Sequence, residues 1–168
     1  MRVVSGATSV SPSRLGKRVL IGVLAPLLYS ADQVTKYLAE SNLVVGEPVP
    51  VVPGLLYWSL HYNPGAAFSM GTQFTVALSV LALVVLVGLV TVVVPRVNHW
   101  LAAVGTGWLV AGVAGNLTDR LLREPGPFQG HVVDFVAVRG FAIFNVADMC
   151  ITGAAILLVV WSIRSERM

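Results

Sequence analysis

Apolar positions dominate the chain, and the polar ones fall in blocks that divide it into runs of helical length. Lys17 and Arg18 precede the apolar run Val19 to Ala31, and the helical pattern continues past Asp32 to about Leu38. That predicts a first helix over 17–39, bent near Pro26, because proline removes a backbone donor and crowds the preceding turn. No charged residue occurs from Gln73 to Val94, a second helix long enough to cross the ~30 Å hydrocarbon core of a bilayer. Pro95-Arg96-Val97-Asn98 reads as a tight turn, after which a third helix is expected over 99–120 and a fourth over 141–163. Between the first two helices, Gly46, Pro48, Pro50, Pro53 and Gly54 are interleaved with β-branched and aromatic residues. The stretch VPVVPGLLYWSLHYN therefore predicts short strands and turns. Residues 121–140 read as a polar loop ending in VVDFVAV.

The expected fold class is thus membrane all-α: four transmembrane helices with a small β-sheet between helices 1 and 2. Residues 1–16, rich in Ser, Gly and Arg, read as a disordered tail. Residues 17–168 read as one membrane domain with its β insertion at about 40–72.

Composition agrees with the pattern. The 168 residues are 56% hydrophobic and 11% charged, with a mean hydropathy of +0.81, whereas a soluble domain carries about a quarter charged residues. The net charge of +3 would suit nucleic acid. The basic residues, however, sit beside apolar runs as orientation signals do, with no basic stripe, so no nucleic-acid partner is expected. Arg2, Arg14, Lys17, Arg18, Arg96, Arg164 and Arg167 lie on one side of the four spans; Lys36, Arg120, Arg123 and Arg139 lie on the other. Positive charge favours the cytoplasm, so both termini are expected there, with 40–72 and 121–140 facing outward. The basic start and apolar run also fit a secretory signal peptide. Against that reading, Tyr29-Ser30-Ala31 is a poor cleavage site and the helical pattern continues beyond it.

A single cysteine, Cys150, excludes an intramolecular disulfide and a cysteine-built zinc site, and HExxH is absent. His61, His99 and His131 show no ligand spacing. No metal or cofactor is expected. Cys150, in an apolar helical pattern, reads as a small buried hydrophobe.

The chemistry lies in the acids. Only four aspartates occur, Asp32, Asp119, Asp134 and Asp148, all within or beside apolar sequence, while the glutamates read as loop or tail residues. A carboxylate in hydrocarbon is costly and marks a candidate functional site. With alternating spans, the end of helix 1, the end of helix 3 and the start of helix 4 share one face. Asp148, about seven residues into the fourth helix, is then expected ~10 Å below its outer end. Asp32 and Lys36 are i, i+4 neighbours; Asn116 and Arg120 likewise, with Asp119 between them; Asn145 and Asp148 are i, i+3. Lys36 can neutralise Asp32 and Arg120 a nearby acid, with Asp119 a candidate. Asp134 and Asp148 are left without a cation nearby in sequence. Two carboxyls held close share a proton and together provide a base and an acid, the chemistry of aspartic proteases. Three other readings use the same residues: a proton or ion path, a serine–lysine peptidase with Lys36 as base, and a structural scaffold. The first predicts acids spread through the bilayer depth, the second a serine set near Lys36, and the third no polar motifs gathered at one depth.

Five motifs occur in order: DQVTK (32–36), NPGAAFS (63–69), GNLTDR (115–120), VVDF (132–135) and FNVAD (144–148). Over about 17–163 the chain resembles the lipoprotein signal peptidase (signal peptidase II) family. The resemblance implies a bacterial inner-membrane aspartic endopeptidase, multi-pass, with both termini cytoplasmic and the active site toward the extracytoplasmic leaflet. It implies Asp134 and Asp148 as the catalytic pair and Asn63, Asn116, Arg120 and Asn145 as residues around the substrate. Asp32, Lys36 and Asp119 would be structural support. The implied substrate is a prolipoprotein carrying a diacylglyceryl cysteine, cut just before that cysteine. Membrane phospholipid and cyclic peptide inhibitors such as globomycin are the other implied partners, which makes such enzymes antibiotic targets. The 40–72 segment would form an extracytoplasmic β cradle over the site. The Ser-rich tail lies outside the family pattern, and Ser69 stands where Gly is common.

Overall fold

A computed structural model of the chain describes residues 12–65 and 74–165. Four long helices carry a four-stranded antiparallel sheet. The order is α1 (Pro12–Asn42), β1 (Val49–Val52), β2 (Leu56–Asn63), α2 (Thr75–Gly88), α3 (Trp100–Leu122), β3 (Val132–Val138), β4 (Ile143–Phe144) and α4 (Val146–Ser165). The first helix outruns the expected 17–39 at both ends and is continuous through Pro26. The expected tail is therefore helical from Pro12, and residues 1–11 lie outside the described residues, as do 66–73. Glu40, read as a loop residue, belongs to α1.

α2 continues through a π turn, Leu89–Val93, into a 3-10 turn, Val94–Arg96. Pro95 supplies the reason: it has no N–H for the carbonyl of Thr91, and its ring crowds that carbonyl, so the ladder widens there. Three stretches are long and apolar enough to cross a membrane: Thr75–Arg96, Trp100–Leu122 and Val146–Arg164. The expected fourth, α1, is longer than any of them but carries Asp32, Gln33 and Lys36 in its C-terminal half.

α3 is the central helix, with α1 and α4 packed along it. Its buried positions are mostly small, among them Ala102, Ala103, Gly105, Gly107, Ala111, Gly112 and Gly115, which lets neighbouring backbones approach closely, as in membrane bundles. Two glycines are required by that approach. A Cβ on Gly112 would lie 2.5 Å from the carbonyl oxygen of Ala147 on α4, and one on Gly115 would lie 2.5 Å from Asp32 Oδ2 on α1. α2 differs: Ser79 is its only buried residue, and Val76, Val80, Leu81, Val84 and Val87 point outward.

The sheet has the order β1-β2-β3-β4. Strands were expected from 40–72 alone, yet β3 comes from the segment read as a polar loop and β4 from the expected start of the fourth helix. VVDFVAV is β3, paired with β2 so that His61 faces Asp134 and Asn63 faces Val132. Leu60, Val133, Phe135 and Val136 pack on Ala39 near the end of α1, which ties the sheet to the helical bundle. α4 begins at Val146, not near 141, because Ile143-Phe144 pairs as β4 with Ala137 and Val136.

Candidate active site

All four aspartates lie at one end of the bundle. Asp148 is in the first turn of α4, not seven residues deep as its expected helix start implied. The turn is built by a reciprocal cap: Asn145 Oδ1 accepts the N–H of Asp148 at 2.9 Å, and Asp148 Oδ2 accepts the N–H of Asn145 at 3.2 Å. This is a capping box with Asp in the acidic position. Asp148 Oδ1 remains available and accepts Asn116 Nδ2 at 2.7 Å.

Asp134 arrives from the sheet, not from a loop, and is only 4% exposed. Its Oδ1 accepts Asn145 Nδ2 at 2.7 Å, and its Oδ2 accepts Asn63 Nδ2 at 3.0 Å. Asn145 therefore bonds both carboxylates, one through its side chain and the other through its backbone. Burial first, then the charge of Asp148, pushes the Asp134 carboxyl from its ordinary 3.8 up to about 7, against the pull of Asn63, Asn145 and Lys36. A cavity of about 390 Å³ reaches Asp134, with His61, Tyr62 and Asn63 on one side and the β3–β4 turn, Gly140 to Ile143, on the other.

Beside this pair lies an ion cluster. Lys36, fully buried, meets Asp32 Oδ2 at 2.9 Å and Asp119 Oδ2 at 2.6 Å. Asp32 Oδ1 accepts the N–H of Ala147 at 2.8 Å, which satisfies a further donor of the α4 N-terminus. Asp119 pairs with Arg123 Nε at 2.8 Å, and Arg123 reaches Glu40 at 2.5 Å. Arg120, the cation expected to neutralise an acid, instead donates to the backbone carbonyls of Pro64, at 3.3 Å, and Gly65. It thereby anchors the start of the NPGAAFS motif; residues 66–69 of that motif lie outside the described residues. Arg123 and Glu40 were not singled out from sequence, although Arg123 is i, i+4 from Asp119 and Glu40 i, i+4 from Lys36. Cys150 is buried. Among the described residues no group of His, Cys, Asp and Glu could hold a metal.

Apolar spans, an antiparallel sheet at one end and a pair of buried carboxyls joined by one asparagine define a class: a small polytopic membrane protein equipped for acid–base hydrolysis. The profile described as signal peptidase (SPase) II matches residues 24–164. The lipoprotein signal peptidase of Mycobacterium avium (strain 104) is 47% identical over 152 residues, covering 90% of this chain and 81% of the relative. That of Mycobacterium tuberculosis (strain ATCC 25618 / H37Rv) is 44% identical, covering 90% and 73%. A solved bacterial membrane enzyme superposes with a TM-score of 0.78 at 29% identity over 90% of each chain. A second gives 0.72 at 30% identity, over 87% of this chain and 92% of the other. The chain belongs to the signal peptidase II family.

Proposed function

We propose that the protein is an intramembrane aspartic endopeptidase that removes the signal peptide from diacylglyceryl-modified bacterial prolipoproteins, cutting before the lipidated cysteine. The observation that carries this reading is the pair of hydrogen bonds that Asn145 donates, one to Asp134 and one to Asp148. It holds two carboxyls in one site where they share a proton. One carboxylate takes a proton from water as the water oxygen bonds to the scissile carbonyl carbon. The protonated partner gives its proton to the carbonyl oxygen, leaving a gem-diol. The C–N bond then breaks: a gem-diol hydroxyl returns its proton to a carboxylate, and the other carboxyl protonates the leaving amine. Asp134, at about 7, retains a proton near neutral pH and suits the acid role. Asp148, in the first turn of a helix whose N-terminal dipole favours an anion, suits the base role.

In this reading α1 is the fourth span, both termini are cytoplasmic, and the sheet and the pair face the extracytoplasmic leaflet of the bacterial inner membrane. The segment ahead of α1 is cytoplasmic, and the chain from α1 onward forms the peptidase domain. Asn63, Asn116, Arg120 and Asn145 surround the substrate; Asp32, Lys36 and Asp119 support them. The lipid of the substrate lies among membrane phospholipids beside the site, and cyclic peptides such as globomycin inhibit the enzyme. A serine–lysine mechanism is not favoured, because Lys36 Nζ is engaged by three acceptors and Ser41 bonds the carbonyl of Tyr37.

The test is a gel shift of purified lipidated prolipoprotein in detergent. Asp134→Asn and Asp148→Asn should each abolish cleavage while the protein still inserts in membranes and keeps its thermal stability. Cleavage retained by either variant overturns the assignment.

A further inference from the structure

Three asparagines surround the carboxyl pair, and each must turn the correct end of its amide toward an acid. The NH2 can hold a carboxylate; the oxygen repels it. Two of the amides are oriented by backbone donors. Asn63 Oδ1 accepts the N–H of Gly65 at 2.9 Å, and Asn145 Oδ1 accepts the N–H of Asp148 at 2.9 Å. Asn116 is oriented differently. Its Oδ1 accepts from Lys36 Nζ at 3.0 Å and from Asn145 Nδ2 at 3.2 Å, which leaves Nδ2 for Asp148 Oδ1 at 2.7 Å.

The ammonium of Lys36 is fully buried and has three donors and no acceptor capacity. Two donors go to Asp32 and Asp119 and the third to Asn116. Neutralising Asp32 and Asp119 does not require that third bond. An ammonium can face only the oxygen of the Asn116 amide, so it acts with Asn145 Nδ2, and as the charged donor of the two, to set which end of that amide meets Asp148. We infer that Lys36 is a positioning residue for hydrolysis, acting through Asn116 on Asp148, in addition to being the counter-ion of Asp32 and Asp119. The inference rests on the peptidase reading above and deepens it.

The charged groups that bear on Asp148 come from every neighbouring element: Asp134 from β3, Asp32 and Lys36 from α1, and Arg120 from α3. A test must therefore hold the charge constant and vary only the donor. The double variants Lys36→Met/Asp119→Asn and Lys36→Gln/Asp119→Asn each remove one cation and one anion. Only the glutamine retains an N–H for Asn116 Oδ1. A hydrogen bond to a charged group is worth about tenfold or more. The glutamine variant should accordingly have a kcat about tenfold above that of the methionine variant. The two should share similar KM for lipidated prolipoprotein and similar melting temperatures. In the methionine variant the acidic limb of the kcat–pH profile should move up by about one unit, because the ionised carboxylate has lost a donor. Equal kcat and superimposable pH profiles for the two overturn the inference.

If neither double variant folds, Asn116→Asp decides. It leaves Lys36 paired and exchanges the donor to Asp148 for a second carboxylate, so kcat should fall about tenfold or more. Full activity in that variant overturns the inference. Asp134→Asn and Asp148→Asn, run alongside, separate the two levels: activity in those variants sinks the peptidase reading itself. Their inactivity together with identical Gln and Met variants sinks only the role of Lys36.

Discussion

Two pairs of buried aspartates sit side by side at the same end of the bundle, and their surroundings differ in kind. Asp32 and Asp119 are ringed by cations: Lys36 lies between them and Arg123 lies against Asp119. Asp134 and Asp148 are held by asparagine amides and a backbone N–H. A cation at contact distance fixes the charge of an acid as well as its position. An amide fixes position but leaves the proton free to move. Burial alone thus does not distinguish a structural acid from a reactive one; the charge of its nearest donors does.

The contrast breaks first at the proposed catalytic pair. Asp134→Asn or Asp148→Asn should lower kcat by about 10^4-fold or more, the scale seen when an essential member of a catalytic group is removed, with little change in melting temperature. Asp32→Asn should do the reverse. Loss of one charge-assisted bond to Lys36 should cost about 2 kcal/mol of stability, while the folded fraction keeps most of its kcat; thermal unfolding and cleavage measured on the same preparation compare the two. A strong rate loss without destabilisation in Asp32→Asn would erase the distinction between the pairs.

The packing that brings the pairs together is next in size. Gly112→Ala places a methyl against the carbonyl of Ala147 and should cost about 1–3 kcal/mol by overpacking, seen as a lower melting temperature in detergent. A smaller effect concerns pH. Asp134 moves from 3.8 to about 7 on folding, so the folded state binds the extra proton between those values. Stability should therefore fall as pH rises from about 4 to about 7 and level off above. Asp134→Asn should flatten that slope in melting curves recorded across pH. Smallest of all, Cys150→Ala should retain cleavage and cost about 1 kcal/mol of packing; loss of activity would revive a thiol mechanism.

Much of the site was legible without coordinates. The i, i+4 spacing of Asp32 and Lys36 places them on one helix face wherever that helix packs. The N-x-x-D of Asn145 and Asp148 is a readable cap, although the apolar FAIF before it hid the helix start. VVDFVAV was misread because its first five residues are buried. A short apolar run without alternation does not distinguish a buried strand from other structure. The partners of Arg120 and Asp119 were also beyond local reading. Arg120 turns to Pro64 and Gly65, over fifty residues away in sequence, and Asp119 is claimed by Lys36 and Arg123.

By itself, the chain determined its solvent and its inventory. Hydropathy accumulates residue by residue, so the apolar helices, the membrane class and the four acids stranded in apolar sequence follow from local composition and period. Tertiary structure alone decided which acids are met by cations and which by amides. Asp134 meets Asn63 because β3 pairs with β2 in one register, and Asn116 meets both Lys36 and Asp148 because glycines on α3 let α1 and α4 approach it closely. Strand register and helix approach depend on contacts between residues distant in the chain, and no local pattern records them.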